Sequence, residues 1–180
     1  SAAAIESLSS VLHAARAQSL ERSGNSVAAE REWQSALDTR RRSEPQPGLG
    51  QAHALYMLGS LKGRMGDFVV TEDLLREAHE IVVAQAPASL LDAQIEISLG
   101  IGAAMRGDLD TGATRFRRAL EIALAIDPDS GDVGAALNAL GNVAQRRGRL
   151  AEAEDYYRAA LEISERIEHG SERCRPGRSP

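Results

Sequence analysis

The sequence predicts an all-α protein built from four helical hairpins, because three sets of residues share one period. Turn glycines recur at spacings of 42, 41 and 41 residues, at Gly24, Gly66, Gly107 and Gly148. An alanine follows each glycine at a fixed distance, at Ala36, Ala78, Ala119 and Ala160. A large side chain lies three residues before each alanine, at Trp33, Leu75, Phe116 and Tyr157. Apolar residues recur every three or four positions on both sides of the glycines, which indicates two amphipathic helices per repeat.

Composition agrees with this fold class and argues against several kinds of partner. Aromatic residues make up only 3% of the chain, which disfavours a β-sheet. The formal net charge is -5, so no large basic field is present to bind a phosphate backbone. No apolar run approaches the roughly 18 residues that a membrane-spanning helix needs. We therefore expect a cytoplasmic protein with no nucleic-acid or membrane partner.

The first two hairpins are predicted at about 3–42 and 51–86. The first helix of hairpin one is the least regular, as expected for a terminal repeat that faces solvent on one side. Asn25 follows the first turn glycine and is expected to cap the second helix through its side-chain oxygen. The link 43–50 contains two prolines and two glycines, which end one helix before the next begins. Asp67 is the corresponding cap of hairpin two.

Hairpins three and four are predicted at about 88–126 and 133–168. Asp108 follows the third turn glycine as the expected cap of the next helix. Arg149 takes that position in hairpin four, so we expect a weaker helix start there. The repeats thus form one domain over 1–168, and the polar segment 169–180 is expected to be a disordered tail.

The stretch 135–163 carries a family resemblance. It contains a Leu-Gly pair at Leu140-Gly141, the turn Gly148, and then Ala153, Tyr157 and Ala160. This pattern resembles a tetratricopeptide (TPR) unit. The period is about seven residues longer than the standard 34, which is similar to the repeats of kinesin light chains and of bacterial regulators. The resemblance implies a right-handed α-solenoid of eight helices, in which the first helix of each hairpin lines a concave groove.

No residue pattern indicates catalytic chemistry, a metal site or a cofactor. The four histidines are scattered, without the spacing of metal ligands. Cys174 lies in the tail without a neighbouring His or Asp that would activate a thiol. We expect a chain that is not an enzyme.

The resemblance places candidate groove residues on the first helices. Chaperone-binding TPR domains hold the terminal carboxylate of a peptide with an asparagine and with a lysine one turn before it. Asn142 matches that asparagine, but Asn138 occupies the position of the lysine, so this carboxylate clamp is incomplete. The apolar floor of hairpin three favours a ligand with a hydrophobic side chain. The candidate groove residues are Gln18, Arg22, Tyr56, Ser60, Arg64, Gln94, Ile97, Ile101, Met105, Asn138, Asn142, Gln145 and Arg146.

The leading hypothesis is a non-catalytic scaffold that binds a peptide or helix of a partner protein in this groove. One alternative is the regulatory or sensor segment of a larger bacterial signalling protein. Ser1 in place of an initiator Met favours a processed or partial chain.

Self-association is the second alternative. Hairpin four has no capping helix after it in the sequence pattern, so some of its apolar residues are expected to face outward. The residues expected there are Val143, Tyr156, Ile163 and Ile167. A two-fold homodimer through this patch, or a following domain, would cover it.

Overall fold

The computed structural model describes residues 2–44 and 46–173. Over these residues the chain forms eight α-helices and no strand, as the sequence predicts. The helices are α1 (Ala2–Arg22), α2 (Ser26–Ser43), α3 (Leu49–Arg64), α4 (Phe68–Gln85), α5 (Leu90–Met105), α6 (Leu109–Ile126), α7 (Gly131–Arg146) and α8 (Leu150–Arg173). Within the described ranges, no helix is long and apolar enough to cross a membrane.

The four turn glycines lie between the two helices of each hairpin, as predicted. Their φ angles are positive, at 78°, 89°, 91° and 74° for Gly24, Gly66, Gly107 and Gly148. This left-handed conformation is strained for a residue with a Cβ atom, which explains why glycine recurs there. The helical pattern therefore breaks at the same point in every repeat.

The predicted caps also form. Asn25, Asp67 and Asp108 each accept a hydrogen bond from the backbone N–H three residues further on, at 3.2, 3.4 and 3.0 Å. The hydrogen bonds that Asp108 accepts from Thr111 hold the pKa of its carboxyl below the usual value. Arg149 has only donors in its side chain and cannot accept such a bond.

The chain divides into two compact units, residues 1–87 and 88–180, and each contains two hairpins. The single repeat domain expected over 1–168 stays a prediction. Ala88, at the boundary, has a φ of 58°, which a non-glycine residue rarely adopts. The helix α8 also continues to Arg173, beyond the expected end at 168, and the rest of the predicted tail lies outside the described residues.

Small residues set the packing of the second unit. Phe116 packs with Ala113 of α6 and with Ala139, Leu140 and Val143 of α7. The predicted inter-helix alanines Ala119 and Ala160 are both buried. These contacts place α7 against α6, so the second hairpin of this unit covers the apolar side of the first.

In the first unit, Trp33 of α2 is fully buried and its indole N–H donates to Glu21 of α1 at 2.6 Å. An ion pair of 2.6 Å between Glu30 of α2 and Lys62 of α3 joins the two hairpins. Each hairpin of this unit is therefore held to its neighbour by a buried apolar layer with charged pairs at its edge.

Candidate binding surfaces

The first helices of the second unit, α5 and α7, carry an apolar strip beside a polar strip. On α5, Ile97 is half-buried against the core, and Ile101 and Met105 follow at intervals of one turn with 46% and 56% of their surface exposed. On α7, Asn138 and Asn142 are exposed, also one turn apart. Ile97, Ile101 and Met105, with Asn138 and Asn142, are called the α5–α7 surface below.

Two hydrogen bonds hold α5 to α7, one near each end of this surface. Arg146 of α7 donates to the backbone oxygen of Ala104 at 2.5 Å. Gln94 of α5 donates to Asp132 at 3.3 Å. Arg146 and Gln94, which the sequence suggested as ligand contacts, therefore position the two helices relative to each other.

The hydroxyl of Tyr157, on α8, lies between two amides of the polar strip. It lies 2.7 Å from the side-chain oxygen of Asn142 and 3.0 Å from that of Gln145, and its single proton is donated to one of these two oxygens at a time. An amide whose oxygen accepts still has two N–H donors. The amide that accepts the Tyr157 proton keeps both of its N–H donors available to a ligand, and spacing alone did not reveal this contact.

The candidate groove residues of the first unit lie on α1 and α3. Gln18 and Arg22 are exposed, and Tyr56 and Ser60 are half-buried. Arg64 forms an ion pair with Glu21, which also accepts from the indole of Trp33.

His53, at the start of the same side of α3, meets the edge of the Trp33 ring with the ring centres 6.0 Å apart. Partial burial lowers the pKa of His53 below its ordinary value, and the nearby Arg40 guanidinium adds to this effect.

The patch predicted on hairpin four needs a correction. Val143 and Ile163 are buried, Val143 against Phe116 and Ile163 against Ala123 and Val133. Tyr156 is half-buried against the Phe116 cluster, and of the four predicted residues only Ile167 is exposed. Val143, Tyr156 and Ile163 pack in clusters that include residues of hairpin three, so the four predicted residues do not form an outward patch.

The outward apolar side of hairpin four consists of other residues. A shallow groove of about 450 Å³ lies along α8 and is lined by Gln145, Leu150, Ala153, Glu154, Tyr157, Arg158 and Leu161. Leu150 and Leu161 are 68% and 59% exposed. Leu150, Tyr157 and Leu161 are called the α8 face below.

Comparisons with known proteins agree with the repeat architecture. Residues 91–166 match the family model described as "Tetratricopeptide repeat". No significant match was found among curated protein sequences.

Among solved structures, BtubC (BKLC) from P. vanneervenii is 22% identical with a TM-score of 0.74, over 95% of this chain and 68% of that one. A Rap protein complexed with Competence and Sporulation Factor is 18% identical with a TM-score of 0.78, over 88% of this chain and 44% of that one. The Rap conjugation gene regulator of the plasmid pLS20, in complex with the Phr* peptide, is 22% identical with a TM-score of 0.71, over 83% of this chain and 41% of that one.

This chain thus spans less than half of either Rap protein, and at these identities the similarity shows the fold alone. Residues 91–166 are thus similar to tetratricopeptide repeats, and the described chain has the same kind of fold as these solved structures, built from paired helices with glycine turns at one period.

Proposed function

We propose that this chain is a protein-interaction scaffold whose α5–α7 surface binds a peptide or helix of a partner protein. The observation that carries the proposal is the pairing of exposed apolar side chains, Ile101 and Met105, with the exposed amides of Asn142 and Gln145, which both lie within hydrogen-bond distance of the Tyr157 hydroxyl. The repeat fold and the two Rap structures with a bound factor or peptide support the same kind of partner.

The arrangement suits an amphipathic or extended ligand. Ile101 and Met105 offer a flexible apolar floor to a hydrophobic side chain, and methionine adapts to different shapes. The amide N–H groups of Asn142 and Gln145 are available to backbone carbonyl oxygens of the ligand. An apolar anchor beside a few fixed polar groups is the usual composition of a recognition site.

A phage-displayed peptide library selected on the full chain tests the proposal. We expect selected peptides to lose about tenfold or more in affinity on Ile101→Ser with Met105→Ser, because a buried apolar anchor contributes more than about 1.4 kcal/mol. Asn138→Ala with Asn142→Ala should weaken the same peptides while leaving the helical circular dichroism signal unchanged.

The matched control is Leu124→Ser, which changes an exposed leucine on α6, a second helix. Peptides that bind the Ile101/Met105 variant as tightly as the wild type would move the site away from α5 and α7. A role in regulating a larger signalling protein stays a prediction.

A further inference from the structure

The open side of α8 has the residues of a surface that is covered one repeat earlier. Alignment on the turn glycines places the α8 face at the positions of Leu109, Phe116 and Leu120 of α6. Those α6 side chains pack with Ala139 and Leu140 of α7, whereas the α8 face lines an open groove. The α8 face therefore has the apolar composition of a surface that receives a helix in the same unit.

The helix that covers α6 presents small residues to it. Ala136 of α7 packs in one cluster with Ala119, and Ala139 of α7 packs in another with Phe116. Small side chains at the contact allow the axes of two helices to approach closely. Because Tyr157 stands at the position of Phe116 on α8, a covering helix is expected to carry alanine-sized residues opposite Tyr157.

The rim of the groove carries a carboxylate whose equivalent pairs with a covering helix elsewhere in the chain. Glu154 lies on this rim and aligns with Glu30 of α2. Glu30 pairs at 2.6 Å with Lys62 of α3, the first helix of the next hairpin. Glu154 also contacts Arg158 of its own helix, but this pair is exposed and of small energetic weight. A carboxylate accepts several hydrogen bonds, so Glu154 can accept from a second cation.

The far end of the α8 face is also acidic. Glu162 follows Leu161 directly, and Glu165 lies one turn beyond Leu161 on the same side of the helix. Both carboxylates are exposed, and within the described ranges neither forms an ion pair. Over 150–168 the helix has six acidic residues and two arginines. The negative charge around the groove favours a cationic partner.

We propose that the α8 face binds a basic amphipathic helix of a partner protein, with alanine-sized residues over Tyr157 and a Lys or Arg beside Glu154. The bound helix runs antiparallel to α8, as α7 runs on α6, where Arg147 after the end of α7 pairs with Asp110 at the start of α6. An apolar stripe laid into a groove supplies the contact area, and the charges at its edge select the partner. This surface is separate from the α5–α7 surface.

A synthetic helix based on α7 tests the proposal on the full chain. The probe has the sequence of 131–147 with Ala144→Lys, because Ala144 aligns with Lys62, and the matched probe has Ala144→Glu. We expect the lysine probe to bind at least about fivefold more tightly, since it attracts Glu154 where the glutamate probe repels it. Fluorescence anisotropy of labelled probes measures the affinities, and backbone amide NMR shifts should locate the bound probe on α8.

Three variants of the chain sharpen this test. Glu154→Lys should reverse the preference, so that the glutamate probe binds more tightly. Leu161→Glu changes an exposed side chain, so it should leave the circular dichroism unchanged and weaken the lysine probe about tenfold or more. Leu124→Glu, at an exposed leucine of α6, is the matched control and should bind as the wild type does.

Four results would overturn the proposal. They are the absence of saturable binding by either probe, equal affinities of the two probes, a preference that Glu154→Lys leaves unchanged, and binding that survives Leu161→Glu. Sedimentation velocity without probe adds a fifth, because a dimer that Leu161→Glu converts to monomer would assign the α8 face to a second copy. Ile101→Ser with Met105→Ser should leave probe binding unchanged, which keeps this result distinct from the test of the α5–α7 surface.

Discussion

Gly100 and Gly141 lie inside first helices, where glycine normally weakens a helix. A Cβ atom built on Gly100 would lie 2.6 Å from the ring of Phe116, and one on Gly141 would lie 2.6 Å from the ring of Tyr157. Both glycines therefore allow the large residue of the second helix to contact the backbone of the first. The cost in helix propensity is offset by the ring packing that glycine permits.

Gly100→Ala should destabilise the chain by about 1–3 kcal/mol, because the buried Phe116 ring has to move. Gly102→Ala in the same helix is the matched control, since its Cβ would meet only the end of Arg106 at 3.6 Å. That control should gain about 0.5–1 kcal/mol from better helix propensity. Thermal unfolding followed by circular dichroism measures both, and equal shifts for the two variants would contradict the packing.

His53 is expected to give the first unit a pH-dependent stability. Its folded-state pKa lies below the ordinary 6.5, so between these two values the unfolded chain binds more protons. The free energy of unfolding should therefore fall as the pH drops through the region below 6.5.

Trp33, the only tryptophan, touches this ring and reports its titration by fluorescence. The fluorescence midpoint should lie below pH 6.5, and His53→Gln should remove both the transition and this part of the stability change. A midpoint at or above 6.5 in the folded chain would contradict the partial burial of the ring.

At the scale of the helix, the caps distinguish three hairpins from the fourth. Asn25, Asp67 and Asp108 each accept a hydrogen bond from a backbone N–H in the first turn of α2, α4 and α6. The side chain of Arg149 has no acceptor, so it cannot cap α8 in this way. The side chain of Arg149 instead lies 3.4 Å from Glu152, in an exposed ion pair of small energetic weight.

Arg149→Asp should therefore stabilise the chain by about 1 kcal/mol, a typical cap contribution. Asp108→Ala should cost a similar amount at the equivalent position of α6. Denaturant unfolding measures both changes, and the two should have opposite signs. An Arg149→Asp variant no more stable than the wild type would show that α8 begins well without a side-chain cap.

Helix orientation decides which apolar residues of hairpin four are covered. The sequence period predicts that Val143, Ile163, Tyr157 and Leu161 are apolar positions of amphipathic helices. Val143 and Ile163 turn toward the preceding hairpin, while Leu161 is exposed. The helical period shows which side of a helix is apolar. It does not show which neighbouring hairpin covers that side, because this depends on the packing of the helices.

At the scale of the whole molecule, tests of the α5–α7 surface should leave Tyr157 unchanged. Its ring lines the α8 groove and its hydroxyl contacts the amides of Asn142 and Gln145, so a change of Tyr157 would alter two surfaces at once.

The sequence by itself determined the helical class, the four hairpins, the turn glycines and the three caps. These features depend on local backbone geometry, such as positive φ at a turn or a hydrogen bond three residues away, and residue type reports that geometry directly. Tertiary structure alone decided that the chain divides at Pro87, that Arg146 and Gln94 tie α5 to α7, and that the open side of hairpin four is Leu150, Tyr157 and Leu161. Those outcomes depend on contacts between residues distant in the chain, which one helical period leaves undetermined.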